Sequence, residues 1–437
     1  MRLSVIGTGY LGAVHAACMV KLGHEVIGVD ADPDRVHSLA AGKTPFYEPG
    51  LDELLAEVLE TGRLSFSESI ADAVAFADTH FICVGTPQAP TSNAADLKYV
   101  DAAADQLGPL LDRPSTVIGK STVPVGTAAR LQERIRALAP AGDQVSVVWN
   151  PEFLREGFAI ADTLHPNRLV AGTDSESAAQ LIRDIYAPLL DANTPLIITD
   201  FATSELVKVA ANAFLATKIS FINAMAEVCE ATGADVTQLA EAIGHDDRIG
   251  KRFLRAGLGF GGGCLPKDIR AFMARAGELG LDQSLAFLRD VDEINLRRRS
   301  HTVDLARQAL GGRVKGKAVA CLGAAFKPDS DDVRDSPALD VAAALQVEGA
   351  QMRVFDPKAA ENGTRQYPTL QFCGTAEDAL AGADLVMLLT EWDQFRRLDP
   401  EAVGKIVAVR RIIDARNVLD PAAWRAAGWQ FKALGRP

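Results

Sequence analysis

Short apolar runs alternate with helical patterns along the first part of the chain, and each run stops at small or polar residues. Unbroken apolar runs of four to six residues are typical of parallel strands buried on both faces. A long, mostly apolar helical pattern then covers 203–232 and stops at Gly233, and further strand patterns follow it. The pattern therefore predicts two α/β domains with doubly wound parallel sheets, joined by a long helix. The strand runs are 2–6, 25–29, 79–84, 116–120 and 145–149 in the first domain, with 317–323 and 352–355 in the second.

A piece of the first domain recurs in the second. Residues 378–390, Asp-Ala-Leu-Ala-Gly-Ala-Asp-Leu-Val-Met-Leu-Leu-Thr, parallel residues 72–84, Asp-Ala-Val-Ala-Phe-Ala-Asp-Thr-His-Phe-Ile-Cys-Val. The first strand of the second domain leads into 322–327, which lacks a complete glycine fingerprint, so we expect no second dinucleotide there. Lys327 and Arg334 are instead candidates to hold a nucleotide diphosphate, because ammonium and guanidinium groups suit phosphate oxygens, although a basic surface loop has the same composition.

Composition narrows the class of protein. The 437 residues, 48% of them hydrophobic, exceed what one core usually holds and indicate two or three domains. The net charge is −12, and no basic run could follow a phosphate backbone or an anionic membrane, so nucleic-acid and membrane partners are not expected. No signal-peptide pattern and no apolar stretch of about 18 residues stand out, which favours a cytoplasmic protein.

The first turn predicts a dinucleotide site. Gly7, Gly9 and Gly12 follow a strand and open a helix, and Asp30 ends the next strand. In this context the glycines give a tight turn, a close approach of the backbone to a pyrophosphate, and close helix packing. Asp30 would bind ribose hydroxyls and repel a 2′-phosphate, so NAD is favoured over NADP. The nearby Arg35 weakens this preference, because an arginine can accommodate a 2′-phosphate.

Cys264 is the cysteine with unusual surroundings. It ends the glycine-rich run 257–263 and precedes Pro266, which is favoured in the first turn of a helix, so the thiol lies beside a helix N-terminus and Lys267. Asp268, four residues on, shares its face of the helix start and could accept a proton. The other five cysteines are expected to be core thiols, and no C-x-x-C spacing indicates a metal. A thiol that captures aldehydes and a nicotinamide that takes hydride together suggest oxidation of an alcohol to an acid.

Polar residues at strand ends and on the long helix complete the candidate site. Thr86 and Thr122 follow neighbouring strands, where a ligand crevice is expected, although ordinary turns would look the same. The loop 150–157 carries two carboxylates and an arginine. Lys208 and Asn212 lie one helical turn apart on an otherwise apolar face, which favours a buried lysine with a specific role over a solvated one.

These segments together resemble the UDP-glucose 6-dehydrogenase family of nucleotide-sugar dehydrogenases. The resemblance implies an NAD-binding Rossmann domain at 1–200, a central helix with a helical dimerisation domain at 201–310, and a UDP-sugar-binding Rossmann-like domain at 311–437. It also implies a homodimer or a larger homo-oligomer. The motifs that carry it are 85–87 (Gly-Thr-Pro), 121–124 (Ser-Thr-Val-Pro), 150–154 (Asn-Pro-Glu-Phe-Leu), 260–268 (Phe-Gly-Gly-Gly-Cys-Leu-Pro-Lys-Asp) and 326–334 (Phe-Lys-Pro-Asp-Ser-Asp-Asp-Val-Arg), with Lys208 and Asn212.

By the family mechanism, UDP-glucose is oxidised twice to UDP-glucuronate, with the aldehyde held on the thiol of Cys264 as a thiohemiacetal and then as a thioester. Carried over by position, the catalytic residues are Cys264, Lys208, Asp268, Asn212, Thr122 and Glu152. Cofactor contacts are Gly7, Gly9, Leu11, Gly12, Asp30, Arg35, Thr86, Thr122, Glu156, Lys267 and Arg334. Substrate contacts are Glu152, Phe153, Leu154, Arg155, Glu156, Lys208, Asn212, Phe253, Leu254, Arg255, Ala256, Gly257, Gly261 and Lys327, with Arg248 of a neighbouring subunit and Arg416.

Alternatives remain within and outside the family. GDP-mannose and UDP-N-acetylmannosamine dehydrogenases share the architecture and the cysteine. Single-step hydroxyacid dehydrogenases share the dinucleotide domain and the lysine–asparagine helix, but need neither Cys264 nor a third domain. A non-enzymatic NAD-responsive protein would give no reason for Lys208, Cys264 and Asp268 to occur together. Gly263 departs from the serine of many relatives, which removes one hydroxyl near the thiol.

Overall fold

The computed structural model describes residues 1–437 and divides into two compact units. The first contains Met1–Ala211 with Arg270–Gly280, and the second contains Asn212–Ile269 with Leu281–Pro437. The range 201–310, expected from the sequence to be one region, therefore contributes residues to both units. Two helices continue from one unit into the other, α10 (Phe201–Thr232) and α12 (Leu265–Glu278).

The first unit contains an eight-stranded sheet. Its order is β3-β2-β1-β4-β5-β6-β7-β8, and all neighbours are parallel except β6 and β7, which pair antiparallel through Trp149 and Gly172. The first six strands have the doubly wound order of a dinucleotide-binding fold. The strands are β1 (Arg2–Ile6), β2 (Glu25–Val29), β3 (Leu64–Ser67), β4 (Thr79–Ile82), β5 (Ser115–Gly119), β6 (Val145–Trp149), β7 (Leu169–Gly172) and β8 (Leu196–Thr199).

Helices cover this sheet, and its central strands are buried. In β1, four of five residues are buried, and in β4 and β5 every residue is. Continuous apolar strands of this kind need cover on both faces, which the crossover helices provide. The helices are α1 (Tyr10–Lys21), α2 (Pro33–Ala40), α3 (Leu51–Glu60), α4 (Ile70–Phe76), α5 (Lys98–Leu107), α6 (Thr127–Leu138), α7 (Ala159–Leu164), α8 (Glu176–Ile185) and α9 (Ala187–Asp191), with 3-10 turns at Gly108–Leu110 and Gly142–Gln144.

The second unit contains a six-stranded, fully parallel sheet of order β11-β10-β9-β12-β13-β14. This repeats the order of the first six strands of the other sheet. The strands are β9 (Ala318–Leu322), β10 (Gln351–Phe355), β11 (Gln371–Phe372), β12 (Leu385–Leu388), β13 (Arg411–Asp414) and β14 (Gln430–Ala433). The helices are α11 (Val236–Gly244), α13 (Phe287–Ala309), α14 (Pro337–Val347), α15 (Ala360–Gln366), α16 (Ala376–Leu380), α17 (Asp393–Arg396), α18 (Pro400–Val403) and α19 (Pro421–Ala426), beside its parts of α10 and α12.

The architecture confirms the predicted fold of two α/β domains with parallel sheets and a long helix. The recurring sequence at 72–84 and 378–390 has a structural counterpart, because each copy leads into the strand that lies next to the first strand of its sheet, β4 or β12. The long helix begins two residues before the predicted start and ends, as expected, just before Gly233, whose φ is +75°.

Helix α10 is long and apolar enough to cross a membrane, judged by length and composition alone. Of its most apolar 18-residue window, 44% is buried inside the protein, and the core helix of a globular protein meets the same criteria. Three of its apolar side chains are exposed at a spacing of seven residues: Phe214 at 66%, Phe221 at 48% and Val228 at 52%. This spacing places them on one face of the helix.

Candidate active site

The glycine turn after β1 has the shape that a dinucleotide needs. Gly7 has a φ of +88°, and a Cβ on Gly12 would lie only 1.8 Å from the Gly7 carbonyl oxygen, so neither position tolerates a side chain. No atom lies within 4 Å of a Cβ built on Gly9, which leaves open space at the residue that starts α1. Leu11 packs against the core of the same unit. The turn therefore fits a pyrophosphate at the N-terminus of a helix.

Asp30 is where the sequence predicts the ribose-binding carboxylate, directly after β2. It is 9% exposed and accepts hydrogen bonds from the backbone N–H of Thr8, at 2.7 Å, and of Asp32, at 3.1 Å. The Arg35 guanidinium donates to both carboxylate oxygens, at 2.9 and 3.0 Å. The Arg35 side chain is one-third exposed and also pairs with Asp32 at 3.5 Å.

The two threonines at strand ends meet. Thr86, after β4, donates its hydroxyl to the backbone carbonyl of Thr122, after β5, at 2.8 Å. Ser121 donates in the same way to the carbonyl of Val84, at 2.6 Å. Adjacent strand ends are thus linked by side-chain bonds, and Thr86, a residue that is 7% exposed, provides one of them. This geometry gives Thr86 a structural role beside the predicted cofactor contact.

Glu152 and Lys208 form a shielded ion pair in the first unit. The Lys208 Nζ lies 3.1 Å from Glu152 Oε1, with side chains only 5% and 13% exposed. The second carboxylate oxygen of Glu152 accepts from the backbone N–H of Leu154 at 2.7 Å, and the Lys208 ammonium lies 5.6 Å from the centre of the Phe153 ring. The prediction of a buried lysine on α10 is confirmed.

The rest of the loop 150–157 is more open. Arg155, predicted as a substrate contact, forms a bidentate pair with Asp162 and has a side chain 55% exposed. Glu156 is half-buried, as are Phe153 and Leu154. The Glu152 side chain, in its ion pair with Lys208, is thus far better shielded from solvent than the Arg155 side chain.

A second buried lysine, Lys120, lies at the end of β5 and was not predicted. Its Nζ donates to Asn150 Oδ1 at 3.1 Å, and the same oxygen accepts from the Tyr186 hydroxyl at 2.8 Å. Burial lowers the pKa of Lys120 to about 8; the charges of Cys83 and Glu152 oppose this shift and that of Lys208 adds to it. The one sequence signal for a buried lysine at this position is that Lys120 ends an apolar strand run, next to Ser121 and Thr122.

In the second unit, the structure places Cys264 where the sequence predicts, immediately before α12. The side chain of Cys264 is exposed, and its carbonyl accepts the first helical bond, from the N–H of Asp268 at 3.0 Å. Asp268 itself is 2% exposed. One of its oxygens accepts from Asn212 Nδ2 at 2.7 Å, and the other accepts from the Lys267 ammonium. A thiol, a carboxylate and an amide are therefore brought together.

The other cysteines differ from Cys264 in their surroundings. Cys18, Cys83, Cys229 and Cys321 are buried, as expected of core thiols, and Cys373 is half-buried. Burial raises the pKa of all five, to about 12 for Cys18, Cys83 and Cys321. Cys264 is the one exposed thiol of the chain.

The glycine run before Cys264 is fixed by buried polar side chains. Asn295, fully buried on α13, accepts from the N–H of Phe260 at 2.7 Å and donates to its carbonyl at 2.9 Å. Asn223, also fully buried, accepts from the N–H of Gly257 at 2.8 Å. A Cβ on Gly261 would lie 2.2 Å from the carbonyl oxygen of Asp335. The run is therefore rigid, and its glycines allow close backbone approach.

The predicted arginines take different positions in the second unit. Arg416 is 9% exposed, and its guanidinium donates to the carbonyls of Leu389, Gly259 and Phe326. Arg334 pairs with Asp332, is 64% exposed, and lies where a Cβ on Gly263 would approach its guanidinium to 2.3 Å. A side chain at 263 would therefore require the exposed end of Arg334 to move.

The remaining predicted substrate contacts of this unit surround the glycine run. Lys327 lies 5.4 Å from the centre of the Phe326 ring, and Arg255 pairs loosely with Glu391 at 3.7 Å. Phe253 has a φ of +64°, and Leu254 and Ala256 are buried. Arg248 is 89% exposed and bonded only to Asp246 among the partners that the structure shows for it, so it is available to a neighbouring molecule.

The second sheet has its own counterpart of Asp30. Asp356 follows β10 and is 3% exposed, and its two oxygens accept five hydrogen bonds. The donors are the backbone N–H groups of Ala324, Ala325, Lys358 and Ala359 and the indole of Trp392. All of these donors are buried or backbone groups, unlike Arg35 beside Asp30. Asp30 accepts as many hydrogen bonds, but two of them come from the partly exposed Arg35 side chain, whereas every donor to Asp356 is a backbone N–H or a buried indole.

Fold and site together define the class: an α/β oxidoreductase with one dinucleotide-binding unit and, on a second α/β unit, an exposed cysteine at a helix start. Comparison with known proteins agrees. Residues 1–190 match the NAD-binding domain, 202–297 the central domain and 320–421 the UDP-binding domain of the UDP-glucose/GDP-mannose dehydrogenase family. The chain belongs to this family and is an NAD-dependent dehydrogenase.

Individual relatives extend over the whole chain. A UDP-glucose 6-dehydrogenase of Rhizobium meliloti (strain 1021) is 40% identical over 439 residues, covering all of both chains. A solved UDP-glucose dehydrogenase from the archaeon Pyrobaculum islandicum is 39% identical, with a TM-score of 0.92 and coverage of 100% of this chain and 98% of the other. A UDP-D-ManNAc dehydrogenase from Pyrococcus horikoshii is 27% identical, with a TM-score of 0.88 and coverage of 100% and 99%.

Proposed function

We propose that this protein oxidises the C6 hydroxyl of UDP-glucose to a carboxylate in two steps, releasing UDP-glucuronate. The observation that carries the proposal is the exposed thiol of Cys264 at the start of α12, beside a buried carboxylate held by an amide. The relatives named UDP-glucose 6-dehydrogenase support the choice of sugar, since their identity to this chain, near 40%, exceeds that of the UDP-D-ManNAc dehydrogenase at 27%.

The chemistry requires two oxidations at one carbon. Bound NAD accepts the hydride from C6 in each of them. In the first, a base of the protein takes the hydroxyl proton and the aldehyde forms. The Cys264 sulfur then adds to the aldehyde carbon, and the resulting thiohemiacetal loses a hydride and a proton to become a thioester. Water attacks the thioester carbonyl, the carbon–sulfur bond breaks, and the acid and the free thiol are released.

The described contacts suggest how the chain moves protons. We propose that Lys208 and Asp268 share the proton transfers, because both are buried and each is fixed by a specific partner, Glu152 or Asn212. Thr122, Glu152 and Asn212 would position water and the developing oxyanion. An acid–base group of this kind typically contributes about 10² to 10⁴ in rate.

The binding residues follow from the same proposal. NAD would contact the turn of Gly7, Gly9, Leu11 and Gly12, then Asp30 and Arg35. The sugar nucleotide would contact the 152–156 loop, Lys208 and Asn212 on α10, the 253–257 segment, Gly261 and Lys327. Further assignments are Thr86, Thr122, Glu156, Lys267 and Arg334 to the cofactor, and Arg416 and a neighbouring subunit's Arg248 to the sugar nucleotide.

Counting NADH against sugar tests the proposal. Purified protein with limiting UDP-glucose and excess NAD is expected to give two NADH per sugar, with UDP-glucuronate as the product detected by mass spectrometry. Turnover is expected to be highest for UDP-glucose in a panel with GDP-mannose and UDP-N-acetylmannosamine. One NADH per sugar, or preference for another sugar, would contradict the assignment.

Replacement of the thiol provides the control. Cys264→Ala is expected to lower acid formation by about 10² or more, because no covalent adduct can form, while NAD affinity stays as in the wild type. Cys373→Ala, which removes a half-buried thiol of the same unit, is the matched variant and is expected to keep full activity. Normal UDP-glucuronate yield from Cys264→Ala would refute the role of the sulfur.

We further propose that the protein acts as a homodimer, or a larger homo-oligomer, in the cytoplasm. The exposed apolar stripe of α10, formed by Phe214, Phe221 and Val228, supports this assembly, because large apolar side chains exposed on one helix face are typical of a contact surface. The exposed Arg248 is consistent with a contribution to a neighbouring subunit's site.

A further inference from the structure

Glu48 is a buried carboxylate that serves a helix distant in the sequence. It is 4% exposed and accepts from the backbone N–H of Gly157 at 2.6 Å and of Ala159 at 2.7 Å. The Tyr10 hydroxyl donates to the same carboxylate and lies 3.2 Å from the Gly157 nitrogen. Glu48 thus joins three segments of the first unit: the glycine turn, its own loop and the start of α7.

Helix α7 depends on this carboxylate for its cap. The N-cap residue of α7 is Phe158, which has no side-chain oxygen to accept from the first-turn N–H groups. One Glu48 oxygen accepts from the first-turn N–H of Ala159 and the other from Gly157, before the N-cap, and the carboxylate places a negative charge at the helix N-terminus, where it stabilises a helix. Gly157 itself has a φ of +78°, so the chain turns at the residue that Glu48 holds.

The segment that ends at Gly157 is the loop 150–157, which carries Glu152 and has no regular structure. Asn150 fixes its first residue: the N–H donates to the carbonyl of Gly119 at 2.8 Å, and the side-chain amide donates to Val170 at 2.6 Å. Glu48 fixes the last residue of the loop, Gly157. Between these ends Asp162, whose side chain is 17% exposed, accepts from the backbone N–H of Arg155 at 2.9 Å and from its guanidinium, so it is a further anchor in the middle of the loop.

We propose that Glu48, with Tyr10, is a positioning residue that holds the 150–157 loop in the conformation that binds the sugar nucleotide. This rests on the proposed function, which assigns Glu152 and its neighbours to that ligand. Neither side chain need touch the sugar. The role is to keep the Glu152–Lys208 pair and the loop backbone in place, since small misplacements of binding groups lower affinity and rate strongly.

Glu48→Gln tests the proposal with little change in volume. A carboxamide offers one oxygen and one NH2, so at least one of the two backbone N–H groups loses its acceptor. Glu205→Gln is the matched control. Glu205 is equally buried, at 2%, and its two oxygens accept from the N–H groups of Gly126 and Ala128 at 2.7 and 2.6 Å, but it caps α6. Tyr10→Phe removes only the hydroxyl and is the milder variant.

Two measurements give separate answers. Hydrogen exchange without ligand should show amide exchange at Gly157 and Ala159 faster by about tenfold or more in Glu48→Gln, whereas Glu205→Gln should change Gly126 and Ala128 instead. Calorimetric titration should show UDP-glucose affinity lower by about tenfold in Glu48→Gln. Tyr10→Phe should give smaller changes in the same direction.

The outcomes distinguish the two proposals. Unchanged exchange at Gly157 in Glu48→Gln would overturn the positioning role. Faster exchange with unaltered UDP-glucose affinity would overturn it as well, because the loop would then not serve the sugar. A wild-type protein that binds no UDP-glucose would contradict the proposed function, and the exchange data would still decide whether Glu48 orders the loop.

Discussion

Buried charges in this protein are accompanied by specific partners, and Lys120 shows how the balance is reached. The residue is 6% exposed, its ammonium donates to Asn150, and the Tyr186 ring lies 6.0 Å away. Other titratable groups that act on it are Cys83 on the neighbouring strand, Glu152 and Lys208, and its charge acts on His15 of α1. One neutral acceptor and one carboxylate do not fully replace water, so burial still disfavours the charged form.

This imbalance predicts a stability change with pH. The pKa of Lys120 is lowered to about 8 in the folded protein. Between that value and the ordinary pKa of lysine, the unfolded chain therefore binds more protons than the folded one. The contribution of Lys120 to the free energy of unfolding rises with pH in this window. The difference in free energy of unfolding, wild type minus Lys120→Met, should increase by about 2 kcal/mol from about pH 7.5 to about pH 9.5. Denaturant titrations of both proteins at the two pH values measure it.

A difference that stays constant across this range would mean that Lys120 titrates as an exposed lysine does. Lys21→Met is a useful reference, since the Lys21 side chain is 38% exposed and its pair with Glu57 lies on the surface. It should show no comparable trend.

At the scale of elements, the irregular segments that carry candidate residues are held by side chains from other elements. Asn295 of α13 pairs with both backbone groups of Phe260, and Arg299, one turn later, donates to the same carbonyl at 3.2 Å. At the start of α7 the bonding side chain, Glu48, comes instead from another loop, the one between α2 and α3. Helices and strands are rigid, so a loop bonded to them at both ends inherits their position.

Asn295→Asp should loosen the glycine run selectively. The carboxylate can still accept from the N–H of Phe260, but it cannot donate to the carbonyl and places a negative charge beside it in a fully buried position. We expect a loss of about 2 kcal/mol or more in free energy of unfolding and a lower UDP-glucose turnover. Circular dichroism melts and the NADH assay measure the two effects, and a variant with wild-type stability would show that these bonds contribute nothing.

Elements whose signals are local could be predicted from the sequence, and those that depend on distant partners could not. The glycine turn and Asp30 lie within one βαβ unit, and Cys264, Pro266 and Asp268 lie within one helix start, so spacing alone places them. Strand β8 was not predicted although it contains the apolar run Leu-Ile-Ile; it has only four residues, and they are partly exposed. Glu48 bonds to a residue 109 positions away and Asn295 to one 35 away, and no local pattern marks either.

At the scale of the whole molecule, one architecture occurs twice with different consequences. Both sheets share the order of their first six strands, and both place an aspartate after the second strand of the unit. Asp30 shares its carboxylate with a partly exposed arginine, whereas Asp356 is closed off by five internal donors. The first sheet lies in the part of the chain that matches the family's NAD-binding domain, and the second lies in the part that matches its UDP-binding domain.

The exposed stripe on α10 leads to a prediction about assembly. A charge placed in its centre, Phe221→Glu, should lower the fraction of dimer, because burying an unpaired carboxylate in an apolar contact costs several kcal/mol. Val347→Glu is the control, since Val347 is 88% exposed at the end of α14 and lies outside the stripe.

Sedimentation velocity over a range of concentrations should show dimers or larger species for the wild type and for Val347→Glu, and a shift to monomer for Phe221→Glu. A wild-type protein that sediments as a monomer at all concentrations would show that the stripe does not mediate self-association, and would contradict the proposed assembly. Retained dimer in Phe221→Glu would place the contact on another surface.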